Sequence, residues 1–309
     1  MTKKRIVIGG IYFPVTAALE YLVRAFKRRD DVEIITAGSY HGRNIPWAGV
    51  SILPENYIFK PDIIMPAMAI GTEVPISMLQ SRLSGKIDLL LQVDAGLHFT
   101  GKLNDCINAT FLTDPHVLRG FYDRVKPQYD FVFCSQTPYA HPNNDEYYVP
   151  YAADAEWHDY ELQDKKYDVV LIGNAYANRV DLINTLNNMG VKTYFRLGIG
   201  KGDVRPILNQ SVIGLNWSSL DDLTARVWET MATGIIPVIN RVTDLQHFFR
   251  EGEHYLGFQT KEEAIAQIMK VLANPGQYAD IGMRARALVR DEHLWDHRVN
   301  TLLDIIWGK

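Results

Sequence analysis

Lys4-Arg5-Ile6-Val7-Ile8-Gly9-Gly10 is a short β-branched run closed by two glycines, and over residues 15–28 apolar side chains recur at helical spacing. Strand, glycine loop and helix in that order open a parallel α/β domain. Further apolar runs at residues 32–37, 62–65, 87–93 and 129–134 are apolar on both faces, as buried parallel strands are. The first part of the chain is therefore expected to be a doubly wound sheet. The rhythm restarts at Asp168-Val169-Val170-Leu171-Ile172-Gly173, with a helix expected over residues 177–189 and ended by Gly190. Strands at 192–195, 212–217 and 235–240 alternate with helices at 203–208 and 222–233, the last stopped by Gly234, and from Lys261 onward the pattern is helical.

At 309 residues the chain is about twice an ordinary single domain, which fits two such sheets. The polar, aromatic stretch 141–164 sustains no period and reads as the crossing between them. The expected division is 1–150 for the first domain, 151–164 for the linker, 165–290 for the second domain and 291–309 for a C-terminal helix crossing back. Residues 38–57, rich in Gly, Pro, Asn and aromatics, read as a long loop at a strand's carboxyl end, where Tyr40, Trp47 and Tyr57 can stack on a sugar or pack the loop. Composition, 47% hydrophobic and 22% charged, is that of a globular protein. A net charge of -4 gives no global reason for tight binding to nucleic acid or an anionic membrane. Cys106 and Cys134 lack metal or disulfide spacing and read as core thiols. No apolar run reaches the roughly 18 residues of a membrane span, and the first one is too short for a signal segment, so a cytoplasmic protein is expected.

In open parallel sheets ligands bind beyond the carboxyl ends of strands, where helix N-termini present N–H groups to anions. Gly173-Asn174 occupies such a place, and Arg179 follows on the next helix, as a phosphate clamp or as an exposed helical arginine. Asn216 ends a later strand and leads into Asp221-Asp222-Leu223-Thr224-Ala225-Arg226-Val227-Trp228-Glu229. Arg226 and Glu229, three apart, share one helix face near its start. A carboxylate there accepts ribose hydroxyls while a guanidinium clamps phosphate, or the two form an ordinary surface ion pair.

The run from Asn209 to Val238 resembles the donor-binding signature of the group 1, CgeB-like (spore maturation protein-like) glycosyltransferases of the GT-B fold. Tyr167 to Asn174 with Arg179 is similar to the first strand and helix of their nucleotide domain. Asp291-Glu292-His293-Leu294-Trp295-Asp296-His297-Arg298 resembles their Glu-His-Thr-Trp-x-x-Arg segment, and Thr113-Asp114-Pro115-His116 with Tyr129-Asp130 resembles elements of their first domain. The resemblance implies two Rossmann-like domains facing across a cleft and transfer of a sugar from a nucleoside diphosphate sugar, UDP-type, to an acceptor. Gly173, Asn174, Arg179, Asn216, Thr224, Arg226 and Glu229 would hold that donor, with Glu229 on the ribose. Retaining relatives carry two Glu eight positions apart, whereas here the first position holds Asp221, and the anomeric outcome stays open.

The resemblance also implies no cofactor and no metal, the leaving diphosphate being stabilised by helix dipole, amides and basic side chains. A base would come from Asp94, Asp114 or His116, although Asp-Pro-x equally suits a helix cap. His293 and His297 at i, i+4 invite a zinc reading, against which the same residues anchor a helix. The acceptor is open among saccharide, protein and polymer, and DNA is neither required nor excluded. Two other readings compete: a catalytically silent sugar-nucleotide binder and a sugar-nucleotide epimerase of the same architecture. A phosphorylase would need a pyridoxal-phosphate lysine in a motif absent from the sequence.

Overall fold

The computed structural model describes residues 3–12, 17–40, 59–66, 72–93, 97–196, 199, 201–218 and 220–308. They form two compact units: one holds the described residues up to Pro150 together with those from Arg298 onward, the other holds Tyr151–His297. Each is a Rossmann-like α/β domain on a parallel sheet.

The first unit runs β1 (Lys4–Tyr12), α1 (Ala17–Lys27), β2 (Val32–Tyr40), β3 (Ile63–Met65), β4 (Thr72–Pro75), α2 (Ile76–Gln80), β5 (Leu89–Val93), β6 (Leu97–Thr100), β7 (Ile107–Leu112), α3 (Arg119–Val125), β8 (Phe131–Cys134) and β9 (Glu146–Tyr148). The main sheet has the order β3-β2-β1-β5-β7-β8-β9, all parallel, and β4 pairs with β6 apart from it. Ile6, Val7, Ile8, Leu89, Leu91 and Phe111 are completely buried, as the two-faced apolar runs require. Two main-sheet strands go beyond the sequence pattern. In β7 the run is broken by Asn108 and Thr110, but their polar groups are satisfied inside the fold: Asn108 Nδ2 donates to the Leu103 and Cys106 carbonyls, and Thr110 Oγ1 donates to Gln92 O. In β9, within the stretch expected to be irregular, Glu146 is buried because Lys126 Nζ lies 3.1 Å from its carboxylate.

The second unit runs β10 (Tyr167–Ile172), α4 (Ala177–Asn188), β11 (Thr193–Arg196), α5 (Lys201–Asn209), β12 (Ser211–Asn216), α6 (Ala225–Ala232), β13 (Ile236–Asn240), β14 (Leu256–Phe258), α7 (Lys261–Ala273) and α8 (Ala279–Glu292), followed by α9 (Trp295–Trp307). Its sheet has the order β11-β10-β12-β13-β14, again all parallel. The chain steps outward from β10 to β11 and returns across β10 to β12, so the direction of winding reverses between β10 and β12. Helix α6 begins three residues later than its apolar pattern suggests. The Asp222 N–H is taken by Ser218 Oγ at 3.0 Å, and Thr224 in an extended conformation is the N-cap.

The helical C-terminal stretch is not continuous. Leu294 leaves the helix to bridge Ala153, and α9 then carries the chain from the second unit into the first. In the first unit, Arg298 is buried with Nε donating to Pro150 O at 3.2 Å, and Lys4 Nζ lies 5.6 Å from the centre of the Trp307 ring.

Helix α8 sits directly on the turn between α6 and β13. A Cβ at Gly282 would stand 2.3 Å from Gly234 O and 2.7 Å from Ile235 O, both backbone atoms. In an exposed helix, Gly to Ala would stabilise by about 1 kcal/mol. Here packing reverses the sign: Gly282→Ala is expected to cost about 1–3 kcal/mol, the usual range for overpacking, and to lower the unfolding temperature. A raised unfolding temperature would show that α8 can slide away from the turn.

Candidate functional site

Ile172 and Asn216 end β10 and β12 side by side, in register with the Val170 to Gly214 pairing two residues earlier. The crevice beyond them is the switch point of the sheet, where parallel α/β folds bind ligands. Its floor is tied by one cation. Arg179 on α4 is buried, 7% exposed, and spans both loops: Nε donates to Trp217 O at 2.7 Å and Nη1 to Asn174 O at 3.1 Å. Burial lowers its pKa, and the guanidinium stacks 5.0 Å over the Tyr176 ring. Gly173 is required by this arrangement, since a Cβ there would lie 2.8 Å from Arg179 Nη1. Arg179 is therefore a fixed charge beneath the loops, neither an exposed helical arginine nor a free clamp.

Across the crevice, Asn216 Nδ2 donates to Thr224 Oγ1 at 2.9 Å. The Thr224 hydroxyl makes no cap bond to α6, so the helix N-terminus is open on its side-chain face. The preceding loop is held by carboxylates. Asp221, in the left-handed region at φ 55°, accepts from Thr243 N and Oγ1, Asp222 is bonded to Ser218 Oγ, and Ser218 N donates to Asn240 Oδ1. Asp221, at the position of the first glutamate, and its neighbour Asp222 are thus both engaged in loop bonds. Ser218 and Asn240 carry no sequence signal of their own.

Arg226 and Glu229 are paired, Nη1 to Oε2. Two facts set the pair apart from a solvated surface pair. Glu229 is 4% exposed, whereas the Arg226 side chain stays about a quarter exposed. The orientation is also wrong for helix stability: a cation in the first turn opposes the helix dipole, and the favourable order puts the acid before the base. The arrangement sets a buried carboxylate beside a partly exposed guanidinium at a helix N-terminus.

A third group completes it. His158, fully buried near the start of the second unit's sequence, accepts the Asp154 N–H at Nδ1 over 2.9 Å, which leaves the proton on Nε2. Nε2 lies 3.9 Å from Glu229 Oε1. Burial lowers the His158 pKa and outweighs the opposing pull of Glu229 and Asp154, while Arg226 and Arg205 push the same way as burial. Behind α6, Trp228 is completely buried, with ring centres 5.1 Å from Phe248, Phe249 and His293. His293 thus buttresses the helix, and His297 Nδ1 accepts the Leu294 N–H at 3.0 Å.

In the first unit Asp94 lies outside the described residues. So do Trp47 and Tyr57 of the expected loop. Asp114 follows β7 but does not cap α3, whose N-cap is Leu118; its carbonyl accepts from Val117 and Leu118 N–H. His116 Nδ1 is 2.7 Å from the amide Nε2 of Gln136, which follows β8 and is buried. The carboxyl ends of β7 and β8 thereby bring an imidazole and an amide together.

Residues 157–304 match the family model described as "Glycosyl transferase-like". No curated protein sequence matches the chain. Among solved structures, the chain is similar to an alpha-glucosyltransferase in complex with UDP and a 13-mer DNA containing an A:G mismatch (TM-score 0.64, 10% identity, 99% of this chain and 100% of that one). It is also similar to sucrose-phosphate synthase from Thermosynechococcus elongatus (TM-score 0.62, 10% identity, 99% of each chain). A third is a structure described as a "putative UDP-N-acetylglucosamine 2-epimerase from Listeria monocytogenes" (TM-score 0.58, 11% identity, 100% of this chain and 98% of that one). At such identities these likenesses establish the fold, which is that of GT-B glycosyltransferases. Among the described residues no helix is long and apolar enough to cross a membrane.

The buried His158 makes stability depend on pH in a definite direction. Its folded pKa lies below the ordinary 6.5, so the unfolded chain takes up the proton first. Its stabilising contribution is present above pH 6.5 and falls as pH drops from there toward the folded pKa, by at most about 1.4 kcal/mol per pH unit for one proton. His254, whose pKa burial also lowers, adds to the same limb. His158→Gln, which cannot titrate, is expected to make the fall in unfolding temperature between pH 7 and pH 5 shallower. An unchanged acid limb would assign that proton to another group.

Proposed function

We propose that the protein is a glycosyltransferase of the CgeB-like kind that moves a sugar from a UDP-type nucleoside diphosphate sugar to an acceptor hydroxyl without a divalent metal. The observation that carries this reading is the buried Glu229 carboxylate at the start of α6, paired with an outward Arg226 and backed by His158, beside the switch-point crevice. A carboxylate so held offers two acceptor oxygens, which suit the vicinal hydroxyls of a ribose. Arg226 and the open N-terminus of α6 suit a diphosphate, and the α6 amides and dipole supply stabilisation where charge develops on the leaving group. Gly173, Asn174, Asn216 and Thr224 line the approach, and Arg179 keeps the loops in place.

On the acceptor side the proposed base is among Asp94, Asp114 and His116. His116 has the geometry of an oriented imidazole: Gln136 donates to Nδ1, which leaves Nε2 as the protonated nitrogen in the neutral ring. As a base it would first have to exchange that hydrogen bond, which favours a carboxylate partner for the acceptor proton. The soluble donor is the expected co-substrate, the acceptor class is open, and a cytoplasmic location is part of the proposal.

A panel of nucleotide sugars, assayed in EDTA for binding, hydrolysis and epimerisation, tests the reading with wild type, Glu229→Ala and Arg226→Ala. One UDP-sugar is expected to bind and to turn over without metal. A hydrogen bond to a charged group is worth about 1.5–3 kcal/mol, so Glu229→Ala should weaken that donor about 10- to 100-fold. Binding of no nucleotide sugar would overturn the site and the function together. Epimerised donor without transfer would keep the site and replace the reaction.

A further inference from the structure

Helices α4 and α6 reach the switch-point crevice from opposite faces of the second sheet. Leu182 and Leu186 of α4 share a core with Val169 and Ile213 on one face. On the other face Val170 packs with Leu208 of α5, and a side chain at Gly214, which pairs with Val170, would run into Thr230 of α6. Glu229 therefore approaches the crevice from one side and the start of α4 from the other.

Tyr176 stands at that start, and its placement runs against local preference. It is the N-cap of α4 in an extended conformation, yet its side chain makes no cap bond, and Ser, Thr, Asp and Asn are the residues that suit the position. The ring is 41% exposed. It is nevertheless held in place: the Arg179 guanidinium lies over one face, 5.0 Å from the ring centre, and the hydroxyl accepts from Asn174 Nδ2 at 3.1 Å. Arg179 is itself fixed by the Trp217 and Asn174 carbonyls, so the support beneath the ring is rigid. The second face of an oriented aromatic ring thus stands open beside a binding crevice. Tyrosine so placed offers rigid, amphipathic contact area with few torsions to freeze.

The order of groups in the donor decides what meets that face. A nucleoside diphosphate sugar runs base, ribose, two phosphates, sugar. With the ribose hydroxyls on Glu229, in the second turn of α6, and the phosphates at the N-terminus of that helix, the sugar is carried across the crevice toward α4 while the base leaves the ribose in the opposite direction. We infer that Tyr176 is the platform for the transferred sugar, its open face stacked on the C–H face of a pyranose. The electron-rich ring face attracts polarised C–H groups, and the sugar hydroxyls stay at the edge for polar partners. The inference rests on the donor reading and adds to it the subsite for the sugar.

Equilibrium binding of UDP, UDP-glucose, UDP-galactose and UDP-N-acetylglucosamine to wild type, Tyr176→Leu and Tyr176→Phe tests it, because UDP lacks the sugar and shares the rest of the molecule. Tyr176→Leu is expected to weaken the best-bound UDP-sugar about tenfold, the order implied by uncovering one face of an aromatic ring, and to leave UDP within about twofold of wild type. Tyr176→Phe, which keeps the ring, should recover most of the loss. Equal weakening of UDP and UDP-sugar would make Tyr176 a support for Arg179 and its loops and would overturn the inference. An unchanged UDP-sugar affinity, or a loss that Tyr176→Phe does not recover, would overturn it as well. Failure of wild type to bind UDP or any of the three sugars would overturn the donor reading and this inference with it, an outcome distinct from the others.

Discussion

One guanidinium sets the geometry on which the second unit's site depends. Arg179 is placed by α4 beneath the point where the sheet reverses its winding, and it bonds the carbonyls of Trp217 and Asn174, one from each flanking loop. Both acceptors are backbone groups, so the tie holds main chain, which has less freedom than side chains to drift. A methionine or lysine at this position could not reach two carbonyls with a planar fork. The crevice therefore has fixed edges before any ligand arrives, and a pre-formed site loses less free energy in ordering itself around one.

Around those edges, charge is arranged against local helix preference. Arg226 opposes the dipole of α6, and Glu229 is buried where exposure would have been cheaper. Such conflicts between local preference and actual placement concentrate at functional sites, because packing elsewhere compensates for them. The compensation is visible here. Trp228, Phe248, Phe249 and His293 form an aromatic cluster on the other side of α6, and the His158 ring meets Glu229 from the first residues of the second unit. The Glu-His-x-Trp run near residue 293 is explained by the same cluster, since its histidine is a buttress for the helix rather than a group that meets solvent.

Much of this was legible in the residue order, and the gaps have physical causes. Two-faced apolar runs marked β1, β5, β8, β10, β12 and β13, because a strand buried on both faces has no polar side to blur its signal. β7 escaped notice because Asn108 and Thr110 are buried polar residues whose partners, Leu103, Cys106 and Gln92, are supplied only by the folded chain. A spacing of three between Arg226 and Glu229 is the same for a surface pair and a pocket pair, and burial separates the two. The order of the charges, base before acid, was already unfavourable on paper and is the sequence signal that points away from a stabilising surface pair. His158 had no such marker, since its meaning lies in one contact to a helix far along the chain. For Arg179 the opposite held: position was legible, and role was not, because exposure cannot be read from a single residue on a weakly amphipathic helix.

The path of α9 has a consequence for how the protein is made. The first unit is not one stretch of polypeptide: its sheet is encoded before Pro150, but Arg298 and the residues after it, with Trp307 beside Lys4, belong to it as well. On the ribosome the whole of the second unit is synthesised between these two parts. The second unit can thus reach its native packing during translation, whereas the first must wait, with Pro150 O and the flank near Lys4 uncovered, until α9 emerges. Domains ordinarily fold in the order they are translated; in this chain the domain that is begun first is the one completed last.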